Sequence, residues 1–344
     1  MRESYLRAGV SSALALLALA LLSPVCLAQT YAITDLGTLG GNSSGARGIN
    51  STGEITGYAY ATGNKISAAF LYTNGKLSSL GTLGGTSAIG LAINSTGEVA
   101  GYSTLASGSY RGFLYNGSRM ISVGTLGSNY SDAEGMNDAG QVVGASTTAN
   151  GETHPYLFSK GKMIDLGTLG AHDSWSWNTA QAVNNSSEVV GYSYNAQGNF
   201  LGFLWVKGHM TSLGTLGGDW SQAFAINDLG QITGQAYTTS NLRAHAFLFE
   251  GGRMQDLGTL KGPYSYGFGI NNSGVVVGES THNLADLSTH AFVYSVGKMQ
   301  DLNQLIAAGS GWVLTTAYSI NDAGQIVGYG TLNRQQHGFL LTPQ

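Results

Sequence analysis

The sequence is poor in charge, cysteine and proline. Charged residues make up 10% of its 344 residues, hydrophobic residues make up 42%, and there are 1 Cys and 4 Pro. A typical soluble domain carries about 25% charged residues, so disorder driven by charge is excluded, and the scarcity of Pro excludes collagen-like and Pro-rich linker sequences. The 15 Lys+Arg against 19 Asp+Glu form no basic block. Nucleic acid is therefore not expected as a partner, because counterion release needs clustered Lys and Arg.

The N-terminus has the pattern of a secretory signal peptide. Two arginines precede an apolar run over residues 13–22, and Cys26-Leu27-Ala28 leads into polar Gln29. This pattern predicts a signal peptide over residues 1–28 and one mature domain over residues 29–344, secreted or at the cell surface. The apolar run is shorter than the ~18 to 20 residues that cross a bilayer, so no transmembrane segment is expected. Export without disulfides points to a bacterial protein. Lipidation of Cys26 is the alternative to cleavage after Ala28.

Glycine is abundant, with 52 residues, and it falls in an internal repeat. The phrase Leu-Gly-Thr-Leu-Gly, or a variant of it, begins at Leu36, Leu80, Val123, Leu166, Leu213, Leu257 and Leu302. The starts are 43 to 47 residues apart. Seven units of this length account for the whole predicted mature chain and leave no room for a second domain.

Each unit contains four short apolar segments. The second, third and fourth are typified by Val275–Gly278, Ala246–Phe249 and Met254–Leu257. The first ends in an asparagine: Asn50, Asn94, Asn137, Asn184, Asn227, Asn271 or Asn321. Short segments rich in Val, Ile, Phe and Tyr and bounded by Gly or Asn predict strands. Four strands in about 45 residues predict an all-β fold, a seven-bladed β-propeller.

The turns and the chain ends add to this prediction. Asn-x-x-Gly between the first two strands predicts a hairpin turn with Gly in the left-handed conformation, and only the fourth unit lacks that Gly, having Ser187. The tight turns should lie at one end of a blade and the longer connections at the other. Tyr31–Leu36 reads as a fourth strand without a unit, whereas the seventh unit stops after its third strand. We therefore predict a ring closed by the N-terminal strand, with an open solenoid as the alternative.

The sequence of the repeat resembles the HAF repeat family of probable extracellular proteins. The shared phrases are Asp-Leu-Gly-Thr-Leu-Gly-Gly, Ile-Asn-x-x-Gly-x-Val-Val-Gly and His-Ala-Phe-Leu-Tyr, and His245-Ala246-Phe247 and His290-Ala291-Phe292 match the last in full. Two further units keep the histidine, His154 and His337, but differ in the residues that follow it. The remaining three units have Ala68, Arg111 and Leu201 at this position. The resemblance covers all seven units and implies a surface location without an established activity. The Asn-x-x-Gly hairpin also resembles the repeat of the regulator of chromosome condensation, a seven-bladed propeller, over that hairpin alone.

The recurring histidines and acids are predicted to be structural. Equivalent positions in different blades stay apart in a ring, so a structural hydrogen bond or an exposed edge is expected rather than a metal site. The residues concerned are His154, His245, His290 and His337, the acids Asp35, Asp165, Asp256 and Asp301, and the turn acids Asp138, Asp228 and Asp322. Neither an H-E-x-x-H nor a P-loop sequence occurs. No cofactor and no metal are predicted.

The connection from each fourth strand into the next unit carries the aromatic residues that depart from the repeat. The candidate ligand-binding residues there are Tyr130, Asp173, Trp175, Trp177, Trp220, Tyr264, Tyr266 and Trp312. Exposed aromatics beside short polar side chains stack on sugar rings or hold peptides. We therefore predict a binding module for a glycan or a cell-surface protein. The alternative role of these aromatics is to fill the gaps between blades near the axis. Trp205 lies instead at the aromatic position of a third strand and is predicted to be a core residue.

A polysaccharide-active enzyme, a lyase or glycosidase, is the alternative function. The non-repeating acids Asp132, Glu134, Asp173 and Asp219 lie in the same connections and could meet over the axis. A glycosidase needs two carboxyl groups about 5 to 9.5 Å apart. The sequence shows no such pairing.

Overall fold

The computed structural model describes residues 29–170, 177–239, 241–285 and 287–344. In these residues the regular structure consists of β-strands and one 3₁₀ turn, Leu302–Gln304. The predicted all-β class is confirmed. The predicted signal peptide, residues 1–28, lies outside the described residues. Within the described part of the chain, no helix has the length and hydrophobicity to cross a bilayer.

The strands follow the sequence repeat. In chain order they are β1 (Tyr31–Asp35), β2 (Gly40–Ile49), β3 (Ile55–Ala61), β4 (Ser67–Thr73), β5 (Lys76–Gly81), β6 (Gly84–Ile93), β7 (Val99–Leu105), β8 (Tyr110–Tyr115), β9 (Met120–Ser122), β10 (Gly127–Ser131), β11 (Gly135–Met136), β12 (Val142–Thr148), β13 (Thr153–Ser159), β14 (Lys162–Asp165), β15 (Thr179–Val183), β16 (Val189–Tyr194), β17 (Phe200–Val206), β18 (His209–Ser212), β19 (Gly217–Ile226), β20 (Ile232–Thr238), β21 (Ala244–Glu250), β22 (Arg253–Asp256), β23 (Ser265–Ile270), β24 (Val276–Thr281), β25 (Thr289–Ser295), β26 (Lys298–Asp301), β27 (Trp312–Ile320), β28 (Ile326–Leu332) and β29 (Gln335–Pro343).

Consecutive strands of a unit pair antiparallel. The sheets β15 to β18, β19 to β22 and β23 to β26 each keep sequence order. β2 to β5 and β6 to β9 pair in the same way and are joined by one parallel contact, Ser67 opposite Ser87. In the third unit the first strand is split into β10 and β11, both paired with β12, which continues to β13 and β14.

The last unit takes its fourth strand from the start of the described chain. β27, β28 and β29 pair in order, and β1 then pairs antiparallel with β29 from Tyr31 opposite Pro343 to Asp35 opposite Phe339. Tyr31 is buried in the same hydrophobic cluster as Phe339 and Leu341. The pairing predicted for Tyr31–Leu36 with the last unit is therefore observed for Tyr31–Asp35.

The hydrophobic core lies between successive sheets. One cluster joins Val143 and Leu157 of the third unit to Val189 and Phe203 of the fourth. At the equivalent point of its third strand every unit has a fully buried aromatic ring: Phe70, Phe113, Tyr156, Phe203, Phe247, Phe292 or Phe339. Each such burial contributes about 1.5 to 3 kcal/mol, so the repeated aromatic position stabilises every interface between sheets.

The asparagines that end the first strands form a belt of hydrogen bonds from unit to unit, and we call them the belt asparagines. They are Asn50, Asn94, Asn137, Asn184, Asn227, Asn271 and Asn321, and all are buried. Asn137 Nδ2 donates to the carbonyl oxygen of Asn184 at 2.9 Å, and Asn184 Nδ2 to that of Asn227 at 3.1 Å. Asn321 Nδ2 donates to the carbonyl oxygen of Asn50 at 3.0 Å, so the belt also links the last unit to the first.

The turn after each belt asparagine has the conformation that the sequence predicts. Gly230 has φ +77° at the left-handed position. Ser187, which replaces Gly in the fourth unit, adopts φ +62° at the same point. A non-glycine residue there costs about 1 kcal/mol, and the Ser187 hydroxyl donates to Gln141 Oε1 of the neighbouring unit at 2.8 Å.

Replacing a belt asparagine should destabilise the fold strongly. Asn227 Oδ1 accepts the backbone N–H groups of Leu229 and Gln231, and its Nδ2 donates to the Asn271 carbonyl. Asn227→Ala removes the partners of these groups, and an unsatisfied buried group costs about 1 to 3 kcal/mol, so urea unfolding should show a total loss of about 2 to 5 kcal/mol. Asn116→Ala, at an exposed turn where Asn116 Oδ1 accepts from Ser118 and Arg119, should lose less than about 1 kcal/mol because water replaces the bond. Equal losses in the two variants would contradict a structural belt.

Candidate functional site

A cavity of about 350 Å³ lies where the first strands of the seven units converge. Each unit contributes the side chain three residues before its belt asparagine, which we call the cavity position. The residues at the cavity position are Arg47, Leu91, Glu134, Gln181, Phe224, Phe268 and Tyr318. This is the axial cavity, and its volume lies in the range of small-molecule sites, about 300 to 1,000 Å³.

A β-bulge directs these side chains into the cavity. In the fifth unit Ala223 faces Gly234 and Ala225 faces Thr233, so Phe224 between them has no partner on β20. The same register shift skips Arg47, Leu91, Gln181, Phe268 and Tyr318. A bulge changes the direction of a side chain. Here it also brings the backbones of the first two strands close together, which explains the glycine in the repeated Val-Val-Gly. A Cβ on Gly234 would lie 1.9 Å from the Gln222 carbonyl oxygen.

A second cavity, which we call the polar vestibule, adjoins the axial cavity, and the two share a ring of apolar side chains. The ring is formed by the residues just before the belt asparagines: Ile49, Ile93, Met136, Val183, Ile226, Ile270 and Ile320. The vestibule, about 210 Å³, is lined by the belt asparagines other than Asn50 and, in every unit but the second, by the residue that follows the belt asparagine. There the turn acids bond across units. Asp138 Oδ1 accepts the Ser95 N–H at 2.8 Å, and Asp322 Oδ1 accepts the Asn272 N–H at 2.8 Å. The structural role predicted for these acids is confirmed for both.

The axial cavity contains a cation and an acid from different units. The Arg47 Cζ atom lies 3.9 Å from the centroid of the Tyr318 ring. Burial and the neighbouring Asp132 charge raise the pKa of the Glu134 carboxyl, and the Arg47 guanidinium lowers it, with a net result of about 8. Glu134 is therefore protonated more readily than an exposed glutamate.

Asp132 lies two residues before Glu134, where the first strand of the third unit is split. Tyr130 donates its hydroxyl to Asp132 Oδ2 at 2.6 Å, and the Ala145 N–H donates to Oδ1 at 2.6 Å. Burial raises the pKa of Asp132 to about 6, although both hydrogen bonds lower it. The two carboxyl groups thus belong to one unit and interact, whereas Asp219 is exposed in the fifth unit and Asp173 lies outside the described residues.

Four predicted ligand-binding aromatics occupy one equivalent position in adjacent units, seven residues before the belt asparagine. They are Tyr130, Trp177, Trp220 and Tyr264, and we call the surface they share the aromatic face. Trp177 is 47% exposed, and its ring meets the Tyr130 ring at 5.2 Å between centroids in a T-shaped arrangement. Trp220 lies between Phe200 at 5.5 Å and Tyr237 at 5.1 Å.

The remaining predicted residues lie elsewhere. The Tyr266 ring stacks on Phe268 at 6.1 Å, beside the axial cavity. Trp312 packs against the core cluster of the last unit, with its ring edge-on to Phe339 at 6.1 Å, so it fills space in the way the alternative interpretation predicts. Trp175 and Asp173 lie outside the described residues. Trp205 is half-buried and packs on the core cluster that includes Phe203.

The recurring histidines pair with the recurring acids. Nδ1 of His154 lies 2.9 Å from Asp165 Oδ1. Equivalent contacts between Nδ1 and a carboxylate oxygen, at 2.7 to 2.9 Å, join His245 to Asp256, His290 to Asp301 and His337 to Asp35. These bonds tie the third strand to the fourth, and the last of them ties β29 to β1. The predicted structural hydrogen bond is confirmed. The described residues contain no group of three or more His, Cys, Asp or Glu side chains able to hold a metal ion.

Sequence reasoning did not identify the axial cavity. The sequence did contain a signal for it. The residue at the cavity position differs among most units, while small residues flank it, as in Ala223-Phe224-Ala225. The pairing of His with Asp was also visible, since the three units without the histidine have Ser79, Ser122 and Ser212 in place of the aspartate. In both cases the variation between repeats, rather than their common pattern, was informative.

Comparison with known proteins establishes the fold. No family model matches the chain, and neither does any curated protein. The chain is similar to the β-propeller domain of the Trilobed protease from Pyrococcus furiosus, with a TM-score of 0.50 and 13% identity over 75% of this chain and 82% of that one. It is also similar to the Pyrococcus horikoshii acylaminoacyl peptidase, with a TM-score of 0.58 and 10% identity over 90% of this chain and 53% of that one. At these identities the likeness shows a β-propeller fold and nothing about activity.

The His154 and Asp165 pair should stabilise the protein in a defined pH range. The hydrogen bond to Asp165 raises the pKa of His154 above 6.5. Burial raises the pKa of Asp165, but the hydrogen bonds from His154 and Gly167 outweigh it and lower that pKa below 3.8. The histidine contribution is complete below pH 6.5 and is lost as pH rises through the raised pKa. The aspartate contribution is present above pH 3.8 and is lost as pH falls through the lowered one.

The double variant His154→Ala/Asp165→Ser tests this pair, and it copies Ala68 and Ser79 of the first unit. In urea unfolding it should be less stable than the parent by about 0.5 to 1 kcal/mol at pH 5.5, and the difference should shrink at pH 8.5. The other three pairs are the same in both proteins and cancel. A difference independent of pH would contradict the assignment.

Proposed function

We propose that the chain is a seven-bladed β-propeller closed by its N-terminal strand and exported to the cell surface or medium as a protein of the HAF repeat type. Seven repeat units, the pairing of β1 with β29, and the hydrogen bond from Asn321 to Asn50 support closure. The signal-like N-terminus and the wording of the repeat support export. In this proposal residues 29–344 form one domain.

We further propose that this propeller is a binding module that recognises a glycan through the aromatic face. The observation that carries the proposal is the Trp177 ring, which is half-exposed and held edge-on by Tyr130. A fixed aromatic ring with a free face stacks on the apolar face of a sugar without losing much side-chain freedom. Tyr130, Trp220 and Tyr264 extend this surface over adjacent units, which suits an extended ligand.

A polysaccharide lyase or glycosidase is the second candidate, because Asp132 and Glu134 have raised pKa values of about 6 and 8. A carboxyl group that is protonated near neutral pH can act as a general acid. Against this role, Asp132 is 5% exposed and both of its oxygens already accept hydrogen bonds. Binding without catalysis therefore fits the geometry better.

Retention on polysaccharide should depend on Trp177. Trp177→Ala removes exposed ring surface, worth ~25 cal/mol per Å² before ordering costs, so affinity electrophoresis in gels of surface polysaccharides should show about tenfold weaker retention with an unchanged melting temperature. Trp205→Ala is the control, which should lower stability by about 3 kcal/mol and leave retention unchanged below the melting temperature.

Two results would contradict glycan binding by the aromatic face. One is equal retention of Trp177→Ala and the parent, and the other is retention only on a protein ligand. Release of reducing or unsaturated ends during the assay, abolished by Glu134→Gln, would favour the enzyme.

Deleting the N-terminal strand should open the proposed ring. Removal of residues 29–36 takes away buried Tyr31 and Leu36 and exposes the edge of β29, so this variant should melt at a lower temperature and aggregate. Removal of residues 342–344 takes away two pairs of the β1–β29 ladder, Ala32 with Thr342 and Tyr31 with Pro343, and should cost less. Thermal unfolding and size-exclusion chromatography provide the comparison, and equal stability of the two truncations would contradict closure by β1.

A further inference from the structure

The axial cavity is lined by side chains that the scaffold does not require. The belt, the apolar ring and the buried aromatics of the third strands are nearly the same in every unit, whereas the cavity position holds Arg, Leu, Glu, Gln, Phe or Tyr. Because the bulge leaves this residue unpaired, its side chain can change without altering the sheet. The chemistry of the cavity is thus set independently of the fold.

The only basic side chain that lines the axial cavity in the described chain is Arg47, and it has no polar partner. Its Nε atom is buried without a hydrogen bond to any described residue. The guanidinium group rests on the Tyr318 ring, and the ion pairs among the described residues do not include Arg47. The Arg47 side chain is half-buried, and its buried Nε atom has no hydrogen bond, so the guanidinium is positioned for a partner that the described chain does not supply.

The acids near Arg47 do not take that place. Thr316 donates its hydroxyl to Glu279 Oε2 at 2.5 Å, and burial raises the pKa of Glu279. Glu134 lines the cavity, and burial and the Asp132 charge raise its pKa, so it is protonated more readily than an exposed glutamate. The cavity therefore presents one cation and one acid able to donate a proton in a hydrogen bond, a pair that suits a carboxylate ligand.

The wall next to Arg47 is aromatic. The Phe224 and Phe268 rings lie 5.3 Å apart between centroids, and the Phe268 and Tyr318 rings lie 5.2 Å apart. Three adjacent units thus form a continuous apolar surface that ends at the guanidinium. A ligand that fills the site needs an apolar or aromatic body and one anionic end.

We propose that the axial cavity binds a small amphipathic carboxylate, with its anionic group on Arg47 and its apolar body against Phe224, Phe268 and Tyr318. This site is distinct from the aromatic face and does not depend on glycan binding. Its volume of about 350 Å³ admits a single small organic acid rather than a polymer.

The test compares three probes of one shape and different charge. 3-Phenylpropionate, 3-phenylpropanamide and 3-phenylpropylamine are titrated into the mature protein at pH 7, and binding is followed by calorimetry and by ligand-detected NMR. The acid should bind about tenfold or more tightly than the amide, because a hydrogen bond to a charged group contributes about 1.5 to 3 kcal/mol. The amine should bind most weakly of the three.

Two variants copy residues that other units already have at the cavity position. Arg47→Leu copies Leu91, and Arg47→Gln copies Gln181. Both should reduce the affinity for the acid to that for the amide and leave the amide unchanged. Trp177→Ala should leave the affinity for the acid unchanged, which separates this site from the aromatic face. The proposal is overturned if the amide or the amine binds as tightly as the acid, if both Arg47 variants keep the affinity for the acid, or if no probe binds at millimolar concentration.

Discussion

The hydrogen bond that a belt asparagine donates to the next unit, made in the described chain by all of them except Asn94, is the interaction on which the rest of the structure depends. Its Oδ1 atom fixes the turn within its own unit, as Asn227 does for Leu229 and Gln231, and its Nδ2 atom fixes the distance to the neighbour, as Asn227 does to Asn271. A buried amide that satisfies backbone groups on both sides leaves little freedom in the angle between sheets. The apolar ring, the axial cavity and the polar vestibule follow from the repetition of this arrangement.

The bulge beside the belt separates stability from chemistry. Gly234 and its equivalents allow the first two strands to approach closely, and the extra residue, Phe224 in that unit, projects into the axial cavity. Residues before and after the bulge carry the core and the belt. A change at the cavity position therefore alters the polarity of the cavity while the core of each unit stays the same, so one scaffold can present different chemistry at its axis.

Much of the fold could be predicted from the sequence, because its strands and turns depend on neighbouring residues and recur in every unit. Four short apolar segments per unit, the Asn-x-x-Gly turns and the unmatched strand Tyr31–Leu36 predicted the strands and the pairing of β1, and the positive φ of Ser187 shows how strictly the turn fixes its backbone. The site was harder to predict. The sequence distinguished aromatic connections from the repeat, but Trp177 and Trp312 look alike there, and only packing leaves Trp177 half-exposed and places Trp312 against Phe339.

By itself the sequence determined the all-β class, the repeat, its turns and the structural role of the recurring histidines and acids, because each of these depends on residues close in the chain or on a pattern repeated at a fixed interval. Only the tertiary structure decided what meets at the axis. Arg47, Glu134 and Tyr318 come from three different units, and their approach depends on the bulge, the close glycine contact and the angle set by the belt. Long-range geometry of this kind also fixes burial, and burial, rather than residue type, sets the pKa values of Asp132 and Glu134.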